Sequence, residues 1–315
     1  MKAQKSKRIS YEFNISLPAT SANLGPAFDA AALALDLALR IRAHKSRGFS
    51  ITASGRDSEI CRRVENHLVL TTYREVLASE RRPAPALALS IDNGFPIGKG
   101  FGSSAAARLA GIALAVHFGH LKWSSNRIIA EASGREHHPD NAAACWMGGV
   151  TVARMLGQNE AQVARFVPKG KWPLLLAIPD ESLATEKARD VLPLEYSRAD
   201  AVANIQNSML LLAALFQGDR NMLASSLEDR IHQPYREQLC PLLPVLRNFS
   251  DEGVLGTVLS GAGPSVLMFL DPKGRPEKVK TKIENYLKQK GMRAELLLTS
   301  IARRGGEASF LRRSR

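Results

Sequence analysis

The chain has 315 residues, enough for two domains or one large α/β domain, and its 45% hydrophobic and 23% charged residues exclude a disordered chain. Its charge of +13 sits largely at the ends: residues 1–10 carry +4, residues 303–315 another +4, and the body only +5. Aromatics make up just 6% and are not interleaved with that charge, so no nucleic-acid partner is expected.

Period-two alternation predicts strands over 9–17 and 35–43, with a third over 49–53. Leu68, Thr72, Val76 and Leu77 recur at helical spacing through 66–79. A strand over 87–91 runs into a glycine cluster, which opens a long small-residue helix over 103–118. A helix over 124–133 and an extended segment over 150–154 follow. Glycine, glutamine and asparagine at 157–159 make the softest break in the chain. Beyond it, 173–178 reads as a buried strand, and 199–216 and 234–249 as apolar helices. Strands over 254–260 and 265–270 flank a glycine turn, an exposed helix covers 276–289, and a strand over 294–301 closes the pattern. Strands and helices interleave on both sides of the break. The expected architecture is therefore α+β with two lobes, 1–160 and 161–315.

Cys61, Cys145 and Cys240 are odd in number and form no C-x-x-C pair, which suits buried free thiols in a reducing compartment. Residues 10–17 alternate in polarity, unlike a signal-peptide core, and the small-residue helix is broken by Arg108. A cytoplasmic protein with no membrane contact is expected.

Four segments carry the chemistry. The first is Pro96-Ile97-Gly98-Lys99-Gly100-Phe101-Gly102-Ser103-Ser104-Ala105-Ala106, between a strand and a helix. Three glycines in five positions let the backbone approach a ligand closely, and the free amides of the following helix turn suit a phosphate. Lys99 can add a point charge, and Ser103 or Ser104 can reach a metal riding on the phosphates. The segment is neither a Walker A sequence nor a dinucleotide fingerprint. The second, Pro18 to Asp29 (PATSANLGPAFD), places Asn23 and Asp29 in a Pro/Gly turn that does not itself need them. The third is His138-Pro139-Asp140-Asn141, after acids at Glu131 and Glu136. It is a poor zinc site, because His137 and His138 are adjacent and no further ligand has suitable spacing. The fourth is the glycine turn from Ser260 through Gly261 to Ser265. Each alone has a structural explanation as a capped helix or a hairpin loop.

Jointly and in this order, the segments resemble the GHMP kinase superfamily, with its P-x-x-A-N-L-G-x-x-F-D, P-x-x-x-G-L-G-S-S-A-A and G-x-G-P-S motifs. Within it the chain is most similar to the homoserine kinases, through PATSANLGPAFD, HPDN, TEKARDVLP at 185–193 and HQPYR at 232–236. Phe101 stands where the superfamily usually has leucine.

The resemblance implies a ribosomal protein S5 domain 2-like N-terminal lobe and a ferredoxin-like C-terminal lobe. It implies ATP-dependent phosphorylation of L-homoserine to O-phospho-L-homoserine, a step of threonine biosynthesis. Residues 96–106 would hold ATP. Mg²⁺ would sit with Ser104 and an acid, Glu131 being favoured over Glu136 for its helix placement. Asn141 would take the position of the superfamily's aspartate base and orient the hydroxyl, with Asn23 and Lys99 beside it. Asn23, Asp29, His138, Asn141, Gly261, Arg189 and Arg236 would bind the amino acid, the two arginines clamping its carboxylate. Another kinase of the superfamily, of the mevalonate or diphosphocytidyl-methylerythritol type, or a non-catalytic ligand sensor on the same fold, are the alternatives. The resemblance leaves room for a homodimer.

Overall fold

Continuous apolar runs, more than alternation, dictate the two longest strands. The computed structural model describes residues 12–310. The basic N-terminal stretch with positions 9–11 of the first predicted strand, and the last five residues, 311–315, lie outside the described residues. β1 (Phe13–Asn23) and β2 (Ala27–Lys45) pair antiparallel from Phe13↔Ala43 to Asn23↔Ala27. β2 begins well before the predicted 35. Its residues 31–35 are buried on both faces, so they read as an unbroken apolar run, and the alternation that marks a half-exposed strand sets in only at 39–43.

β3 (Ser50–Gly55), α1 (Ser58–Cys61), α2 (Leu68–Ser79), β4 (Leu87–Asn93), α3 (Ser103–Phe118), α4 (Ser125–Glu136), α5 (Asp140–Met147), β5 (Val150–Met155) and β6 (Ala161–Phe166) complete the first lobe. The sheet runs β3-β4-β2-β5-β6 with β1 paired to β2, and only β3–β4 is parallel. α2 packs on α3, and α5 on β1, β2 and β5.

The second lobe contains β7 (Leu174–Ile178), α6 (Thr185–Asp190), α7 (Arg198–Gln217), α8 (Arg220–Ser225), α9 (Gln233–Arg236), α10 (Leu242–Arg247), β8 (Val254–Leu259), β9 (Val266–Leu270), α11 (Pro276–Gln289) and β10 (Glu295–Thr299). Its antiparallel sheet runs β10-β7-β9-β8. β7 and β9 are buried throughout, and their alternate residues enter different cores. Leu175, Ala177, Val266 and Met268 pack with α10 and α11 residues, whereas Leu174, Leu176, Leu267 and Phe269 join the core of the first lobe. The lobes are thus welded by apolar burial, the dominant favourable term in folding.

Two expectations are corrected. The cut at 160/161 would split a hairpin, because β6 pairs residue by residue with β5; sheet membership moves the change-over to 167–173. The predicted helix over 234–249 is two short helices separated by a 3₁₀ turn at Glu237–Leu239, with Pro241, which has no N–H, ahead of the second. The chain finally returns to the first lobe, where α12 (Gly306–Phe310) packs on β1 and α5 and Ser309 Oγ accepts from the Ser16 amide.

Candidate active site

The glycine loop descends from β4 and enters α3, where three positive-φ glycines shape it: Gly98, Gly100 and Gly102. Two of these positions have no room for a side chain. A Cβ at Gly100 would stand 2.2 Å from the Ser260 carbonyl oxygen and 2.8 Å from that of Gly263, so this loop and the second lobe's glycine turn touch backbone to backbone. A Cβ at Gly102 would stand 2.0 Å from Thr20 Oγ1 and 2.9 Å from Asn141 Oδ1. All four segments, remote in sequence, therefore meet here. Further bonds close the junction: Ser260 Oγ donates to the Gly100 carbonyl (2.8 Å), Asn23 Nδ2 to that of Gly261 (2.9 Å), and the Thr20 amide to that of Phe101 (3.0 Å).

One cavity is lined by Asn23, Asp29, Gly98, Gly100, Phe101, Gly102, Ser103, Ser104, Glu136, His138, Asp140, Asn141, Arg189, Arg236 and Gly261. At its phosphate-loop end, Ser104 Oγ donates to Glu136 Oε1 (2.6 Å), and Arg108 Nε donates to the same oxygen (2.5 Å). A hydroxyl and a carboxylate oxygen side by side are the hard donors that Mg²⁺ prefers, so these residues fit that ion. At the centre, Asn141 Oδ1 accepts from the buried Thr20 hydroxyl (2.6 Å). Asp140 Oδ1 accepts from His138 Nδ1 (2.5 Å) and from the Asn141 amide (2.6 Å). Burial pushes the His138 imidazolium down, but the hydrogen bond and charge of Asp140, with Asp29 adding to them, outweigh it and raise the pKa above 6.5. Asp29, His138 and Asp140 present their polar atoms within 4.8 Å of one another.

At the far end, Phe28 is flanked by two guanidinium groups, Arg189 at 5.5 Å and Arg236 at 5.3 Å from its ring centre. Arg189 Nη2 donates to both Asp29 oxygens (2.7 and 3.0 Å). Arg236 is 1% exposed, and its bonds run to the Ala188 carbonyl oxygen (2.8 Å) and to His232 Nδ1 (3.1 Å), while His232 Nε2 donates to the Gly25 carbonyl oxygen (2.9 Å). Burial, then the nearby Arg189 charge, lowers the Arg236 pKa to about 10, so it remains a cation at neutral pH. Among the described residues no carboxylate is hydrogen-bonded to it. A buried cation in this condition is stabilised by an anion.

Several expected site residues stand elsewhere. Lys99 is turned away from the cavity: its Nζ donates to the carbonyl oxygens of Pro179 (3.0 Å) and Asp180, pinning the loop to the end of β7. Glu131 does not reach Ser104 but pairs with Arg135 (3.0 Å) and Arg127 (3.7 Å); Glu136, one and a half turns on, takes that position. Pro96, Ile97, Ala105 and Ala106 support the loop without lining the cavity. Ile97 instead lines an adjoining, largely apolar pocket with Asn66, His67, Leu68, Phe95, Ala107 and Leu183, which also reaches Gly98, Ser103 and Ser104. Sequence reasoning missed that pocket, because Asn66, His67, Leu68, Phe95, Ala107 and Leu183 belong to no motif. It also missed Thr20, although the hydroxyl lies inside the PATSANLGPAFD segment.

Residues 67–149 match the family model for the GHMP kinase N-terminal domain, and residues 211–289 that for the C-terminal domain. A homoserine kinase from Solibacter usitatus is 42% identical over 94% of this chain and 96% of that protein. The crystal structure of homoserine kinase from Cytophaga hutchinsonii superposes with a TM-score of 0.79 at 22% identity, covering 97% of this chain and 99% of that one. L. major mevalonate kinase in complex with R-mevalonate shares the fold at a TM-score of 0.68 and 16% identity, over 95% and 98% of the two chains.

Proposed function

This chain belongs to the GHMP kinase family, and we propose that it transfers the γ-phosphoryl group of ATP to the hydroxyl of L-homoserine, giving O-phospho-L-homoserine, a step in threonine biosynthesis. The observation that carries the substrate is the buried Arg236, with Arg189 across Phe28, in the same cavity as the glycine loop. A cation without a carboxylate partner calls for one, and a planar guanidinium holds it with two parallel hydrogen bonds. Asp29 and Asp140 supply negative charge for the amino group, which a hydroxy acid such as mevalonate lacks.

The catalytic roles follow from placement. Backbone amides at the start of α3 bind phosphate oxygens, aided by the positive end of the helix dipole. The apolar pocket beside the loop takes the nucleoside base, with His67 kept neutral by burial. Ser104 and Glu136 would hold Mg²⁺, which when bound neutralises charge on the phosphates. Asn141 is an amide and takes no proton from the substrate. Held by Thr20, it orients the acceptor hydroxyl for in-line attack, and the proton leaves with the transferred phosphoryl oxygens. Three free cysteines, all buried, accord with a cytoplasmic location.

The test is ADP release measured with homoserine, serine, threonine and mevalonate as acceptors. Homoserine should give the highest kcat/KM by at least about a hundredfold, since mevalonate leaves the partners of the ammonium unpaired and the hydroxyls of serine and threonine, one methylene shorter, fall short of the phosphoryl group. Equal or better turnover of mevalonate would overturn the reading.

A further inference from the structure

His232 is completely buried and does not line the cavity. It stands immediately ahead of α9, and its backbone carbonyl accepts from the Arg236 amide (3.1 Å). Imidazole and guanidinium therefore rise from the same face of one helical turn. The turn is held by the buried Asp229 carboxylate, which accepts from the backbone amides of Ile231 (2.8 Å), His232 (3.1 Å) and Gln233 (2.6 Å). Two contacts then fix where the imidazole proton sits. Nε2 faces the Gly25 carbonyl oxygen at 2.9 Å and Asp229 Oδ2 at 3.3 Å, and a carbonyl and a carboxylate only accept. The hydrogen is on Nε2, so Nδ1 carries a lone pair, which accepts from Arg236 Nη1 at 3.1 Å. Burial lowers the imidazole pKa to about 4 against the attraction of Asp229, so this neutral form is the one present at pH 7. Arg236 Nε donates to the Ala188 carbonyl oxygen (2.8 Å), which leaves Nη2 without a protein acceptor among the described residues.

The far side of the ring belongs to the other half of the site. Gly25 lies three residues ahead of Phe28 and four ahead of Asp29. Phe28 stacks on the imidazole, with ring centres 5.2 Å apart and planes 27° from parallel, and has the Arg236 guanidinium 5.3 Å from its own centre. An α-amino acid carries its ammonium and its carboxylate on one carbon, so the groups that bind them must keep a fixed separation. We propose that His232 is the positioning residue that sets it: Nδ1 turns the Arg236 guanidinium toward the substrate carboxylate, while Nε2–H ties the same helical turn to the loop carrying Asp29. The role rests on the reading of the substrate as homoserine. It acts through Arg236, because a completely buried ring does not itself touch the substrate. A histidine that only filled space would need the shape of the ring and neither nitrogen.

The test separates the two nitrogens by steady-state kinetics. In His232→Asn the amide oxygen stands near the position of Nδ1 and accepts from Arg236. In His232→Gln the amide nitrogen stands near that of Nε2 and donates to Gly25, and the acceptor for Arg236 is lost. His232→Asn should keep the homoserine KM within about threefold of wild type, whereas His232→Gln should raise it about tenfold, the scale of one hydrogen bond to a charged group. The kcat and the ATP KM should change little in either variant. In an Arg236→Leu background His232→Gln should add less than about twofold, because its effect passes through the missing guanidinium. Should His232→Gln fail to fold, His232→Leu, which fills the space and lacks both nitrogens, reads the same loss. An unmoved homoserine KM in His232→Gln, equal losses in the Asn and Gln variants, or full additivity with Arg236→Leu would each overturn the proposal. A wild type inert towards homoserine would overturn the substrate reading itself; an active wild type with an unaffected His232→Gln would overturn the positioning role alone.

Discussion

Thr20, on β1 within PATSANLGPAFD, donates its hydroxyl hydrogen to Asn141 Oδ1, on the first turn of α5, at 2.6 Å. The bond fixes which way the amide faces, leaving Nδ2 for the neighbouring acid and the substrate. Thr20→Val keeps the buried shape and loses the bond. It should lower kcat about tenfold to a hundredfold, since small misplacements at the reacting atoms are costly, while the homoserine KM changes less than about threefold. Thr20→Ser should restore most of the rate. Steady-state kinetics of the two variants check this, and an unchanged kcat in Thr20→Val would remove Thr20 from any positioning role.

Glu131 and Glu136 should separate cleanly. Glu136→Gln keeps the hydrogen bond from Ser104 but loses the charge, so turnover should fall and the Mg²⁺ concentration for half-maximal rate should rise. Glu131→Gln breaks only the pairs with Arg127 and Arg135, costing roughly 0.5 kcal/mol of stability and leaving the Mg²⁺ response as in wild type. Magnesium titrations of both variants distinguish them.

Removing the buried guanidinium should act on the amino acid and spare the nucleotide. Arg236→Leu should weaken homoserine binding by about 2–5 kcal/mol, read as a raised KM, with the ATP KM little changed. 3-Amino-1-propanol, which is homoserine without its carboxylate, should be a poor acceptor for wild type. In Arg236→Leu the gap between the two acceptors should narrow, because the group that senses the carboxylate is gone. An intact homoserine KM in both Arg236→Leu and Arg189→Leu would place the carboxylate elsewhere.

Acid should destabilise the protein through His232. Burial lowers the pKa of this imidazole to about 4, and the Arg236 charge adds to that against the attraction of Asp229. The folded state therefore binds fewer protons than the unfolded state between pH 4 and the ordinary value near 6.5. Stability is full above that window and is lost as pH falls through it, by at most about 1.4 kcal/mol per pH unit from this one group. His232→Gln, which cannot take a proton, should show a shallower loss of Tm between pH 6.5 and 4. An identical pH slope in both proteins would mean that other groups set the acid limit.

The sequence by itself determined what local chemistry can determine. Gly98, Gly100 and Gly102 ahead of a small-residue helix dictate a tight turn in which backbone can approach closely, and the positive φ of all three follows from the absence of Cβ. The order of the motifs was legible too; Arg189 and Arg236 stood out only through the family resemblance of their segments, and the fold brings them into the same cavity. Tertiary structure decided whatever depends on direction. Glu131 and Glu136 lie five residues apart on one helix, so they point about 140° away from each other, and only the packing of α4 against α3 settles which one faces Ser104. Lys99 sits inside the phosphate loop by sequence, yet its flexible stem reaches the carbonyl groups at 179 and 180, which arrive from the other lobe. β6 is short and half-exposed, with little pattern of its own, and became visible only through its pairing with β5. The pocket beside the loop is built from scattered residues of α2, β4, α3 and the loops between elements, because a concave surface is a property of how elements meet and leaves no periodic trace in any one of them.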